Sequence, residues 1–154
     1  MSGALRILVD ADACPVKDEI YRVAGRYRVP VTIVSNSPIR IPKDPLIDRV
    51  LVSDGFDAAD DWIAESTAPG TLVVTADILL ADRCLKAGGT VLSSTGKPFT
   101  LASIGSAIAT RAIMADLRAG GEQIGGPPPF SKTDRSRFLQ ALDTALVQMA
   151  RARG

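Results

Sequence analysis

A chain of 154 residues with 46% apolar and 23% charged residues is long enough to bury a core and too apolar for disorder. Its 18 Lys+Arg against 17 Asp+Glu give a formal charge of +1, which excludes a protein that coats nucleic acid by charge alone. No His is present, so Ser-His-Asp and Cys-His pairs, imidazole bases and His metal ligands are excluded as well.

The first element is the short apolar run Leu5–Val9, a buried strand stopped by Asp10. Pro15 then stands where a helix tolerates proline, and Val16, Ile20, Val23 and Ala24 recur at helical spacing to about Tyr27. Val31–Val34 is the second strand, and the proline-bearing stretch from Ser35 to Pro45 is a loop. Ile47–Val52 is rich in β-branched residues and forms the third strand. A short helix runs from Asp57 to Ser66 before Pro69-Gly70, and Leu72–Thr75 is the fourth strand. Asp77–Ala87 is a helix closed by Gly88-Gly89, and Val91-Leu92 is a fifth, short strand. Leu101–Leu117 is predicted helical, and residues 120–129 form a Gly/Pro loop. Asp134–Ala150 is the last helix, its apolar stripe made by Phe138, Leu139, Leu142, Ala145, Leu146 and Met149.

Short apolar strands alternating with helices predict a parallel sheet covered on both faces. The expected fold is therefore a three-layer, doubly wound α/β sheet of about five strands. It forms a single domain over 1–154, with residues 118–154 as a Gly/Pro loop plus a C-terminal helical extension. Cys14 and Cys84 are too few for a disulfide framework or a zinc site. No signal peptide is legible at Met1–Arg6 and no apolar stretch approaches a membrane span, so a cytoplasmic setting without membrane contact is expected.

Open α/β sheets bind ligands beyond the C-terminal ends of their strands. Asp10 and Asp12 follow the first strand, Asp57 and Asp60 open the helix after the third, and Asp77 follows the fourth. Five acids from three segments thus head for one edge. Their mutual repulsion would be relieved by a hard cation, Mg²⁺ or Mn²⁺, which takes oxygen ligands and needs no His. Asp57 and Asp77 are equally good helix caps, and Asp60 falls at the third position of a capping box. Asp61 and Asp82 read as solvated surface charges. Cys14 reads as a small buried residue and Cys84 as core.

On the binding side, Asn36 after the second strand can orient a ligand, and Arg40 can hold a phosphate. Ser93–Lys97 offers hydroxyls, amides and a cation to an anion. Lys132, Arg135 and Arg137 lie between Phe130 and Phe138. Residues 118–154 hold six Lys/Arg against three Asp/Glu, a balance that suits a polyanion such as RNA. The same stretch also reads as a capped helix start, with Ser131 or Thr133 as cap and Asp134 in the first turn.

Four motifs in order, Val9-Asp-Ala-Asp-Ala-Cys-Pro15, Gly55-Phe-Asp-Ala-Ala-Asp60, Val74-Thr-Ala-Asp-Ile78 and Gly125-Gly-Pro with Phe130-Ser-Lys-Thr-Asp-Arg135, resemble the bacterial YaiI/YqxD family across essentially the whole chain. That family is similar to PIN/NYN-type nuclease domains, which hold Mg²⁺ or Mn²⁺ on carboxylates and cut RNA. The resemblance implies strand order 3-2-1-4-5. It matches Asp10 to the acid of the first strand, Asp57 or Asp60 to the mid-chain acid and Asp77 to the acid after the fourth strand. Asp10, Asp77 and Asp57 are then the implied metal ligands. Where many such nucleases carry a further acid, this chain has Leu79.

The leading expectation is a metal-dependent, PIN-like phosphodiesterase acting on RNA. One alternative is a phosphatase of the haloacid-dehalogenase type, with Asp10 as nucleophile and Asp12 as general acid. Another, kept open by Leu79, is a non-catalytic RNA-binding or regulatory protein.

Overall fold

The computed structural model describes residues 5–11, 14–53, 57–106, 108–110 and 130–153. Strand β1 (Arg6–Asp10) leads to helix α1 (Lys17–Tyr27), β2 (Val31–Ser35), β3 (Ile47–Leu51), α2 (Ala58–Ser66), β4 (Thr71–Val74), α3 (Ile78–Lys86), β5 (Thr90–Leu92) and β6 (Pro98–Phe99). Residues 101–106 and 108–110 are helical, and a C-terminal helix spans Lys132–Arg153. The rest of the helix predicted to Leu117, and the predicted loop at 120–129, lie outside the described residues.

Six strands form one sheet in the order β3-β2-β1-β4-β5-β6. The first five are parallel, in the order the resemblance implies, and β6 pairs antiparallel to β5. The sixth strand was not predicted. It is two residues long and begins with proline, which is tolerated at the first position of an edge strand, so it shows no hydrophobic period.

Alternation along the strands sorts the core into two clusters. Ile7, Val9, Ile33, Leu72 and Val74 join the buried residues of α1 and the C-terminal helix. Leu8, Val34, Val73 and Val91 join Ile63 of α2 and Leu80, Ala81 and Cys84 of α3. Successive residues of one strand point to opposite faces, so the clusters occupy opposite sides of the sheet. Phe138, Leu142 and Leu146, one helical turn apart, are fully buried on the α1 side and dock the C-terminal helix. Removing such a side chain, as in Phe138→Ala, costs about 3–5 kcal/mol in a packed core.

The ends of the helices differ from expectation in detail. α1 begins at Lys17, two residues after Pro15, with Val16 at its cap position and no side-chain capping bond. α3 does end on the predicted glycines. Gly88 takes φ 93, and the N–H of Gly89 reaches the Cys84 carbonyl at 3.0 Å. The C-terminal helix starts on a reciprocal box: Ser131 Oγ accepts from the Asp134 N–H, and Asp134 accepts from the Ser131 N–H. Among the described residues no helix is long and apolar enough to cross a membrane.

Candidate functional site

The chain reverses its winding between β1 and β4, neighbours in space whose following helices α1 and α3 lie on opposite faces. A crevice opens at the strand ends where this happens. Here it is a cleft of about 350 Å³ lined by residues from the ends of all five parallel segments. β1 contributes Asp10, the loop after β2 Asn36, and the start of α2 Asp57 and Asp60. The turn after β4 contributes Thr75 and Asp77, and the loop after β5 contributes Ser94. Cys14 completes the wall. No Lys or Arg lines the cleft among the described residues.

Thr75 connects the two central acids. Its hydroxyl donates to Asp10 Oδ2 at 2.9 Å and accepts from the Asp77 N–H at 3.0 Å. The side chain is almost fully buried. It was not among the predicted site residues. The available signal was a Thr two residues before an Asp at a strand end, the spacing of a hydroxyl-backbone turn.

Asp77 is the helix cap predicted for it. Its Oδ1 accepts from the N–H groups of Leu79 at 2.9 Å and Leu80 at 3.2 Å. Asp57 is not. It occupies the cap position of α2 in left-handed backbone, φ 65, and makes no capping bond. Asp60 likewise accepts no hydrogen bond from the Asp57 N–H, so the expected capping box is absent there among the described residues. Burial, then the nearby carboxylates of Asp77 and Asp57, raise the pKa of Asp60 above the usual carboxylate value. Burial also raises the Cys14 thiol, so this cysteine is a thiol rather than a ready nucleophile.

Asp10, Asp57, Asp60 and Asp77 are therefore brought to one cleft, and Asp12 lies outside the described residues. Among those described, no three acidic or cysteine groups stand close enough to enclose an ion. The donor set is nonetheless all oxygen, from crowded carboxylates, a hydroxyl and the Asn36 amide. That fits a hard cation held by one or two carboxylates with water completing the shell, and does not fit a closed protein cage.

Other predicted residues stand elsewhere. Asp61 pairs with Arg83 at 2.8 Å and Asp82 with Lys86 at 2.9 Å. Arg40 is exposed on its loop and Lys132 is exposed at the helix start, neither lining the cleft. Arg135 is held by the Pro15 carbonyl at 2.7 Å and by Glu19 at 3.2 Å, and lies 5.1 Å from the centre of the Phe130 ring. It fastens the C-terminal helix to the segment behind Asp10. Arg137 lines a separate groove with Lys97.

The family profile described as "Uncharacterized BCR, YaiI/YqxD family" matches residues 8–148, and the chain belongs to that family. A "UPF0178 protein" of Sphingopyxis alaskensis is 74% identical over 146 residues, covering 94% of this chain and 95% of the relative. Another, from Rhodopseudomonas palustris strain CGA009, is 59% identical over 154 residues, covering 99% and 98%. A third, from Bradyrhizobium diazoefficiens, is 59% identical over 148 residues, covering 96% and 89%. No solved structure matches the chain significantly.

Proposed function

We propose that this member of the YaiI/YqxD family is a PIN-like, metal-dependent phosphodiesterase that acts on RNA at the acidic cleft. The observation that carries the reading is the meeting of Asp10, Asp57, Asp60 and Asp77 from three chain segments at the winding reversal, with no Lys or Arg among the described residues that line the cleft. Clusters of like charge are costly without a counter-ion, so the cleft is arranged to receive one. Asp10 and Asp77, joined through Thr75, would hold a Mg²⁺ or Mn²⁺ ion, and Asp57 or Asp60 would reach it through a metal-bound water. Bound there, the ion supplies an activated water and charge neutralisation on the phosphodiester. With no His in the chain, proton acceptance falls to a carboxylate, and Asp60, whose pKa is raised, is the group best matched to it. Asn36 and Ser94, on opposite rims, orient the phosphate through hydrogen bonds.

The PIN-like part of the reading is supported by the order of the first five strands, which is the one the resemblance implies, and by helices packed against both sheet faces. RNA is the substrate class favoured by the net positive balance of residues 118–154 and by the same likeness.

The test is cleavage of a labelled single-stranded RNA by wild type and Asp10→Asn, each with Mn²⁺ and with chelator, beside thermal denaturation. Wild type should cleave with Mn²⁺ alone and gain about 2.7 kcal/mol of stability at roughly a hundredfold excess of ion over Kd. Asp10→Asn should lose both. Cleavage that survives chelation, or an undiminished Mn²⁺ gain in the variant, rejects the reading.

A further inference from the structure

An acidic cleft repels the substrate it is proposed to cut, so affinity for a polyanion has to come from elsewhere on the surface. The loop Ser93–Lys97 separates two hollows of opposite character. Ser94 lines the acidic cleft, whereas Thr95, Gly96 and Lys97 line a groove of about 580 Å³ against the C-terminal helix. No acidic residue lines this groove among the described residues.

Two cations stand in it. Gly96 has φ 86, and a Cβ placed there would lie 2.8 Å from the Arg137 carbonyl oxygen. The loop backbone therefore rests directly on the helix backbone at Arg137, and Lys97 is the next residue along. Lys97 and Arg137 are thus carried on touching segments, and neither forms an ion pair among the described residues. The loop is held in shape by its own bonds. Ser93 Oγ accepts from the N–H groups of Thr95 at 3.3 Å and Lys97 at 3.1 Å, and the Ser93 N–H donates to the Lys97 carbonyl at 2.9 Å. Two cations carried on touching segments into one groove, with no ion pair among the described residues, offer a site for an anion.

Beyond Arg137 the helix contributes Gln140, Thr144 and Gln148 to the same groove. Following Arg137 at intervals of three, four and four residues, they align along one face, and from Arg137 to Gln148 the row runs about 16 Å. These are neutral donors and acceptors, suited to sugar hydroxyls and base edges rather than to a second phosphate. The floor between them is apolar, formed by Leu92, Pro98, Ala141 and Ala145, and offers a surface on which bases can lie.

We infer that this groove binds single-stranded RNA, with Lys97 and Arg137 on backbone phosphates and the Gln140–Thr144–Gln148 row along the chain, and that it delivers the strand across Ser94 to the acidic cleft. The substrate class rests on the phosphodiesterase reading above; the groove itself does not use the cleft's acids. The sequence reading gave phosphate contact to Lys132, Arg135 and Arg137. Arg135 is held by Glu19 and Pro15, whereas Arg137 shares the groove with Lys97, whose loop was also expected to meet an anion.

The experiment is fluorescence anisotropy of a labelled short oligouridylate with chelator present, over a salt titration. The double variant Lys97→Ala/Arg137→Ala should bind at least about tenfold more weakly. Its salt slope should fall by about 1.4, since each single-strand phosphate contact contributes roughly 0.7. Lys97→Arg with Arg137→Lys keeps both charges and should keep the slope. Equal affinity and slope in wild type and the double Ala variant overturn the inference, as does the absence of salt-dependent binding by wild type. Chelator silences the proposed chemistry, so failed cleavage leaves this result standing. Normal cleavage with an unaltered slope removes the groove and spares the cleft.

Discussion

The starts of α2 and α3 border the same cleft with the same residue in opposite states. Asp77 lies in extended backbone and folds its carboxylate over two N–H groups of α3. Asp57 lies at φ 65, and its carboxylate caps nothing. A cap residue needs extended dihedrals for its side chain to reach the second and third N–H of the helix, and a left-handed residue forfeits that reach. Left-handed backbone also costs of order 1 kcal/mol outside glycine. One aspartate thus supports its helix while the other is held at a cost and lines the cleft.

The largest effect separates the two duties of Asp77. Asparagine caps as well as aspartate, so Asp77→Asn should leave the melting temperature nearly unchanged. It should lower Mn²⁺-dependent RNA cleavage by at least ~10²-fold, about 2.7 kcal/mol of barrier. Equal cleavage would leave Asp77 with a structural duty alone.

Next in size is the hydroxyl that ties Asp77 to Asp10. Thr75→Val keeps the shape and strips both hydrogen bonds from a buried position, so urea denaturation should show a loss of about 1–3 kcal/mol. A loss too small to measure would mean that the two acids are placed independently of each other.

A direct comparison of the helix starts is smaller. Asp77→Ala should cost about 1 kcal/mol through the lost cap. Asp57→Gly should instead stabilise the fold by about 0.5–1 kcal/mol, because glycine takes φ 65 without strain. Both variants destabilised to the same extent would erase the contrast.

The smallest effect is at Asp60, whose pKa is raised in the folded protein by burial and by Asp77 and Asp57. Between its unfolded and folded pKa the native state binds the extra proton, so stability falls as pH rises through that window. Asp60→Asn should be more stable than wild type above the window and lose the advantage below it. The gain should be at most about 0.5 kcal/mol, because the group is partly exposed and water screens it. Melting curves against pH read this directly, and a variant advantage that grows on acidification would contradict the crowding of acids in the cleft.

By itself the sequence determined the elements and much of their order. Apolar runs and helical spacing are local properties, and they located five parallel strands, the α1 and C-terminal helices and the Gly88-Gly89 stop within a few residues. The strand-end rule also brought out Asp10, Asp57, Asp60 and Asp77, although helix capping was an equal reading for the last three. What the tertiary structure decided were matters of pairing and dihedral angle. That Asp77 caps and Asp57 does not depends on how β3 and β4 deliver the chain to α2 and α3. That Thr75 bridges two acids depends on β1 and β4 lying side by side, although 65 residues separate Thr75 from Asp10. That Arg135 is occupied while Arg137 faces a groove depends on α1 packing against the C-terminal helix. Each hangs on contacts between segments distant in the chain, and a spacing rule confined to one segment carries no information about which partner the fold will bring to it.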